Sequence, residues 1–247
     1  MPQNVFVGRI AEFYDATTTE MYDPAVLDPA VYFLADLNER VRGGRALELG
    51  IGTGRVGLPL SQRGVDVHGI EISADMVAQL KTKTGADRVG VTVGDFATAK
   101  VEGSFTLAYL VFNTISNLLT QDEQVECFKN VAEHLEPGGC FVIELWIPEL
   151  QKLVPGEHIR AFTATSEHLG FDEYDVAAQR VTSHHYWLNG DRLASFSSHH
   201  RYLWPSELDL MARLAGMTLQ ERWGDWDRQA FTSESAKHIS VWEKTPE

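Results

Sequence analysis

Cysteine is scarce in this chain, with only Cys127 and Cys140 among 247 residues. The two are separated and each sits in an apolar-periodic segment. They offer neither a disulfide framework nor a CxxC metal pair, so both are expected as buried thiols. Long apolar runs are missing too: none approaches the roughly 20 residues a bilayer span requires. The opening stretch MPQNVFVGRIAEFYD lacks the basic flank and unbroken apolar core of an export signal. Neither secretion nor anchoring is expected, and the reading is cytoplasmic. Basic residues number 21 against 35 acidic ones, a formal charge of −14. Such a balance repels phosphate backbones and anionic lipid surfaces. The densest basic spots, Arg40-Val41-Arg42 and Lys81-Thr82-Lys83, are short. Neither nucleic acid nor a membrane is therefore the expected partner; a small molecule is. No repeat, low-complexity stretch or Pro/Gly/Ser linker divides the chain, and nothing in the pattern specifies an oligomer.

What is present is an ordinary globular composition, 44% hydrophobic and 23% charged, long enough for one large core or a core with an insertion. From Arg45 onward, short apolar runs alternate with helical periodicity. Strands are expected over 45–49, 65–70, 89–93, 105–112 and 140–146. Helices are expected after the first strand to about residue 63, over 73–83 with Ser73 as N-cap, and over 121–135. In the last of these Val125, Phe128, Val131 and Leu135 keep helical spacing until Pro137-Gly138-Gly139 stops it. This order implies parallel pairing through right-handed crossovers, a doubly wound α/β sheet. The uniformly apolar 105–112 suits a central strand buried on both faces. After residue 156 the rhythm turns antiparallel. Segments 181–188 and 192–204 flank Asn189-Gly190, a strong hairpin signal that would set His184 near Ser195. Pro205 then opens a helix over 206–215, and 217–223 and 238–243 are two late strand candidates. About 40 residues before the alternation form a helical preface.

The chemistry starts at Leu47-Glu48-Leu49-Gly50-Ile51-Gly52-Thr53-Gly54-Arg55, a strand running into a glycine-rich turn before a helix. Glycines let the backbone bend sharply and approach a ligand, and the helix start favours negative charge. Taken alone the turn is ambiguous, because residues 52–57 also satisfy the dinucleotide pattern GxGxxG. Glu71, ending the second strand, suits a ribose under either reading.

Further along, Gly94-Asp95-Phe96 follows the third strand, Val111-Phe112-Asn113-Thr114 the fourth, and Leu135-Glu136-Pro137-Gly138-Gly139 precedes the fifth. With these segments the chain resembles the class I, Rossmann-like S-adenosylmethionine-dependent methyltransferases over residues 45–146. The resemblance implies S-adenosylmethionine as cofactor, with Glu48, Gly50, Gly52 and Gly54 as the first motif and Glu71 on the ribose. It puts Ile72 and Met76 against the adenine and Asp95, between Gly94 and Phe96, on the adenine amino group. Val111 and Asn113 fall beside the methionyl group and substrate. It also implies a seven-stranded mixed sheet closed by an antiparallel hairpin. The preface, residues 1–44, becomes a lid with Tyr14 near the cofactor. Residues 45–155 and 205–247 form the cofactor-binding domain, and the β insertion at 156–204 becomes a substrate cover.

The sulfonium of this cofactor is already electrophilic, so methyl transfer needs an aligned nucleophile first, and a base only where that nucleophile carries a proton. Glu144, interrupting an apolar strand near its end, is one candidate base; backbone or basic partners are its structural alternative. His184 and His185 are others, because imidazole titrates near neutrality. Six of the nine histidines lie in the insertion, at 158, 168, 184, 185, 199 and 200. Neighbouring strand residues point to opposite faces, so no metal site is expected. Tyr186, Trp187, Tyr202 and Trp204 either line an apolar pocket or pack the insertion down. The leading reading is methyl transfer to nitrogen or oxygen of a small metabolite. A nicotinamide-dependent oxidoreductase and a catalytically silent cofactor-binding module are the alternatives.

Overall fold

The computed structural model describes residues 4–190 and 192–245, without the side chain of Asn189; the outer ends of the expected lid and core segments fall outside that range. The chain opens with α1 (Arg9–Thr17), a 3-10 turn (Thr19–Tyr22) and α2 (Pro24–Arg40). There follow β1 (Ala46–Leu49), α3 (Gly57–Gln62), β2 (Val67–Glu71), α4 (Ala74–Lys81), β3 (Gly90–Val93), β4 (Phe105–Leu110), α5 (Gln121–His134) and β5 (Leu135–Trp146). Four antiparallel strands come next: β6 (Ile159–Ala164), β7 (His168–Asp175), β8 (Arg180–Asn189) and β9 (Arg192–Arg201). The chain then returns through α6 (Pro205–Leu214), β10 (Met217–Trp223) and β11 (Lys237–Lys244).

Seven strands make one mixed sheet in the order β10-β11-β5-β4-β1-β2-β3. The first five strands run parallel, and β11 lies antiparallel between β5 and β10. Strand order reverses between β1 and β4, the point where open α/β sheets bind ligands beyond the strand ends. Helices α5 and α6 cover one face through Phe128, Val131, Leu208 and Met211. On the other face Leu27, Val31, Leu34 and Leu37 of α2 join Leu60 of α3 and Tyr109 of β4. Local signals account for the helix ends. Asp23 accepts from Ala25 N at 2.9 Å ahead of Pro24, and Ser73 caps α4 as expected, accepting from Met76 N at 3.2 Å. Both cysteines are buried, and burial pushes the Cys140 thiol up to about 12.

Several expectations shift. Helix α2 is a core layer of the α/β sandwich, so the part of the preface that reaches the strand ends is residues 4–23. The helix after the glycine turn starts only at Gly57. Strand β4 stops at Leu110, because Phe112 and Asn113 adopt left-handed backbone. The hairpin pairs Asn189 with Arg192, so His184 faces Ser197 rather than Ser195. One residue of difference at the turn moves every pairing by two.

The four-stranded sheet is fastened at its root by Arg201, which is 5% exposed. Its guanidinium donates to Gln124 Oε1 of α5 at 2.5 Å, to Gln179 Oε1 at 3.0 Å and to Glu207 Oε1 of α6 at 2.6 Å. Removing one partner of a buried ion pair leaves the other uncompensated. The substitution Arg201→Leu should lower the unfolding free energy by about 3 kcal/mol. Urea denaturation reads this, and an unchanged midpoint would show that the anchor contributes nothing net.

Candidate functional site

The ends of β1 and β2 are joined by a carboxylate. Gly52, at φ +57°, points its N–H at Glu71 Oε2 over 2.9 Å, and Ser73 N donates to Oε1 at 2.8 Å. Glu71 is 5% exposed; burial pushes its carboxyl up, and the backbone N–H groups of Ser73, Gly52 and Ile72 oppose that rise. A carboxylate offers about four acceptor positions, so Glu71 retains acceptor capacity beyond these backbone donors. Its carbonyl accepts from Gly94 N at 2.9 Å, which brings the end of β3 to the same rim. There Asp95 caps its own turn, Oδ1 accepting from Ala97 N at 2.9 Å, while Oδ2 has no partner among the described residues. Gly50 and Gly54 share the left-handed region with Gly52. Half-buried Ile72 and buried Met76 flank the turn, with the Met76 methyl 3.5 Å from where a side chain on Gly52 would begin.

Three expected cofactor residues lie beneath the rim instead of on it. Glu48, only 2% exposed, faces the interior, where Tyr109 donates to Oε2 at 2.9 Å and the Gly57 amide adds a second bond. A Cβ on Gly57 would sit 2.5 Å from that oxygen, so glycine there is a packing requirement. Burial pushes the Glu48 carboxyl up to about 8. Phe96 and Val111 are both buried in the cores on either side of the sheet.

The amino-terminal segment closes onto the rim through contacts that the sequence did not announce. Asp15 accepts from Thr53 Oγ1 and from the Tyr22 hydroxyl, each at 2.6 Å, and from Lys83 Nζ at 2.5 Å. Burial raises the Asp15 carboxyl, but these donors outweigh it and hold it below its usual range. Ser73 Oγ donates to Phe6 O, and Gly8 N to Asp75 Oδ2 at 2.6 Å. Tyr14 stands edge-on to Phe6 at 5.7 Å. Burial raises its phenol, with opposing influences from the charges of Arg55, which lowers it, and Glu71, which raises it. Arg55 is a second unforeseen residue. It has no ion-pair partner among the described residues, and its guanidinium lies 5.2 Å from the centre of the Phe112 ring. A cation directly after the glycines was the available signal for Arg55; Asp15 had none.

Across the crevice, Phe112 and Asn113 hold consecutive positive φ angles of 54° and 61°, a strained pair of the kind found where structure over-determines a site. Glu144 holds them. Its Oε2 accepts from Phe112 N at 3.0 Å, and Oε1 accepts from Trp226 Nε1 at 3.1 Å and Lys237 Nζ at 2.9 Å. With three donors, Glu144 buttresses the β4 turn. Asn113 likewise supports, accepting from Trp146 N at 2.8 Å. Phe112 itself is 38% exposed and forms the wall. Neither His184 nor His185 lies at the strand-end rim; His185 shares the face of Val181 and Ser183, and His184 takes the opposite one. His184 bonds Ser197 and Glu173, and His185 bonds and stacks with His168 and Trp187, all within the four-stranded sheet. Tyr186 stacks on Phe171 and Tyr202 packs near Tyr174, so these rings serve the sheet too. Among the described residues no three metal-ligating side chains converge.

A family model described as a methyltransferase domain matches residues 46–139. The chain is similar to the cypemycin N-terminal methyltransferase of a Streptomyces species, 26% identical, covering 94% of this chain and 97% of that protein. It superposes on the CcbJ methyltransferase of Streptomyces caelestis with a TM-score of 0.79 and 34% identity, over 92% of this chain and 96% of that one. The amino pentose methyltransferase CalS10 of Micromonospora echinaspora shares the fold, with a TM-score of 0.70 at 21% identity over 98% and 99% of the two chains.

Two measurements check the geometry. Folded Glu48 keeps its proton to about pH 8 whereas the unfolded carboxyl loses it near 4.5. The folded state therefore binds more protons across that window, and stability falls as pH rises through it. Glu48→Gln removes this term, so the variant should gain on the wild type between about pH 5 and pH 8; parallel curves would mean that folded Glu48 is already ionised. Asp15→Asn should speed hydrogen exchange of the α1 amides about tenfold, the equivalent of about 1.4 kcal/mol, without touching β1 or β4. Unaltered exchange would show that other contacts hold the segment.

Proposed function

Since the chain belongs to the class I S-adenosylmethionine-dependent methyltransferases, it transfers a methyl group from that cofactor, and we propose that the acceptor is an amine nitrogen of a small molecule. Membership sets aside the dehydrogenase and silent-module readings of the glycine motif. The residues at the rim fit the cofactor: a carboxylate with spare acceptor capacity, a second with an open oxygen, an unpaired cation, and a glycine where the backbone comes close. In this reading Glu71 accepts from the ribose hydroxyls, Asp95 Oδ2 from the adenine amino group, and Arg55 pairs with the methionyl carboxylate. Ile72 and Met76 flank the purine and Tyr14 closes over it. Bound there, S-adenosylmethionine supplies a methyl group already activated by its sulfonium.

The observation that carries the amine is the engagement of Glu144 by three donors. An amine that has shed its proton to solvent attacks without further help, whereas a hydroxyl needs a base at the moment of attack. The two carboxylates that interrupt the apolar strands, Glu48 and Glu144, are both committed to support. The similar proteins point the same way, one being named for an amino terminus and another for an amino pentose. A net charge of −14 also favours a cationic acceptor over an anionic one. Residues 4–23 act as the lid, 45–155 and 205–247 hold the cofactor, and the β insertion at 156–204 covers the acceptor. No helix among the described residues is long and apolar enough to cross a membrane, and the reaction is assigned to the cytoplasm.

S-adenosylhomocysteine at about 100 times its dissociation constant should stabilise the fold by about 2.7 kcal/mol, and NAD should not. Labelled S-adenosylmethionine offered to matched panels of amines and alcohols should label amines alone. Label in the alcohols only would overturn the nitrogen assignment.

A further inference from the structure

The inner face of the four-stranded sheet carries a row of polar side chains that the cofactor site does not use. Strand pairing sets Tyr174 opposite Val181 and Val181 opposite His200. One step outward on the same face, Asp172 lies opposite Ser183 and Ser183 opposite Ser198. This face turns toward the crevice. Tyr174 and Val181 are buried with Trp146, Leu150 and Leu153 packed against them, and β9 runs beside the Thr114–Asn117 turn that follows Asn113. Trp146 is the residue whose N–H Asn113 holds, so the row begins where the acceptor wall ends.

The row is bonded within itself yet incomplete. Ser183 Oγ donates to Asp172 Oδ1 at 2.6 Å, the Tyr174 hydroxyl donates to Oδ2 at 3.5 Å, and Ser198 Oγ meets His200 Nε2 at 2.8 Å. Half-buried Asp172 makes no ion pair with lysine or arginine among the described residues: Arg160, opposite it on β6, donates instead to Glu149 Oε2 at 2.6 Å. Burial and the like charge of Glu149 push its carboxyl up, against the hydrogen bond from Ser183. His200 is left with a buried Nδ1 that has no hydrogen-bond partner among the described residues. Burial, with the neighbouring imidazoles of His199 and His185, lowers its pKa to about 4, so the ring is neutral near pH 7 and can accept. A buried polar atom without a partner forgoes a bond that native structures nearly always make, and a carboxylate without a countercharge does the same on a larger scale. Both lacks are met by one kind of group: a cation that donates several hydrogen bonds. An ammonium has one charge and up to three N–H donors.

We propose that Asp172, Ser183, Ser198 and His200 form a subsite that receives an ammonium group of the acceptor. The subsite selects acceptors that arrive protonated; the nitrogen gives its proton to solvent on leaving it, since the free amine and not the ammonium attacks at the rim. The proposal rests on the nitrogen reading above and extends it to how the acceptor is chosen.

The test uses the full chain saturated with S-adenosylhomocysteine, carrying 15N-histidine, with His200→Gln identifying the His200 ring signals. Propylammonium chloride is the probe and propan-1-ol its uncharged counterpart. The His200 signals should move with propylammonium and stay still with propan-1-ol. Asp172→Asn should weaken propylammonium binding at least about tenfold while S-adenosylhomocysteine binds as before. Should that variant fail to fold, Ser183→Ala keeps both charged partners and should still weaken the probe by about threefold. Equal response to both probes, or wild-type affinity in these variants, overturns the subsite. Amine methylation with a silent His200 would sink the subsite and spare the nitrogen reading. Probe binding without any amine methylation would do the reverse.

Discussion

The Gly52 amide and the Glu71 carboxylate hold the rim together. Their bond crosses from the turn after β1 to the end of β2, and it forms only because parallel register brings Leu49 level with Ile70. It also creates an electrostatic problem. Glu48 lies under the same turn, and the Glu71 charge adds to the burial that raises its carboxyl. Two ionised carboxylates in so small a dry volume would repel strongly. The chain resolves this by keeping Glu48 protonated near neutral pH and by setting the unpaired Arg55 above it. The turn therefore rests on a neutral acid, with Glu71 at its edge accepting backbone N–H groups.

Glu144 repeats the device on the acceptor side. Like Glu48 it interrupts an apolar strand, and like Glu48 it spends its oxygens on groups that shape a strand-end turn: a backbone N–H, an indole N–H and an ammonium. A charged residue inside an apolar strand reads in sequence as a reactive group. In both strands it is scaffolding, because a turn that leaves a sheet exposes backbone donors that something must satisfy. Reactivity would need an uncommitted oxygen facing the crevice. The rim offers that at Asp95, outside any strand.

How much could be read beforehand follows from the same distinction. Alternating apolar runs and the glycine turn are local patterns, and they place five parallel strands and the positions of Glu71 and Asp95 at strand ends. The clasp of Asp15 on Thr53 joins residues 38 apart through three side chains; no periodicity encodes such a meeting. The left-handed Phe112 is equally silent in sequence, since its strain is balanced by Glu144, 32 residues on. The hairpin was legible in kind but slipped by one residue at its turn, and in a sheet that small error reassigns every cross-strand partner. Adjacent histidines were correctly separated to opposite faces by the pleat. Which face looked inward depended on the packing of Trp146 on Tyr174 and Val181, which is a tertiary fact.

The amino-terminal segment and the four-stranded sheet differ in how they are held. The β insertion is rooted by Arg201, buried among Gln179 of the β7–β8 turn and Gln124 and Glu207 on two core helices. Moving it would expose a desolvated ion pair, so the sheet is firmly rooted. The amino-terminal segment is fastened by contacts near the surface, with Asp15 and Lys83 both open to solvent in part. Contacts of that kind are individually weak and readily exchanged with water. Local opening draws on the least stable contacts first. Residues 4–23 are therefore held less firmly than the four-stranded sheet.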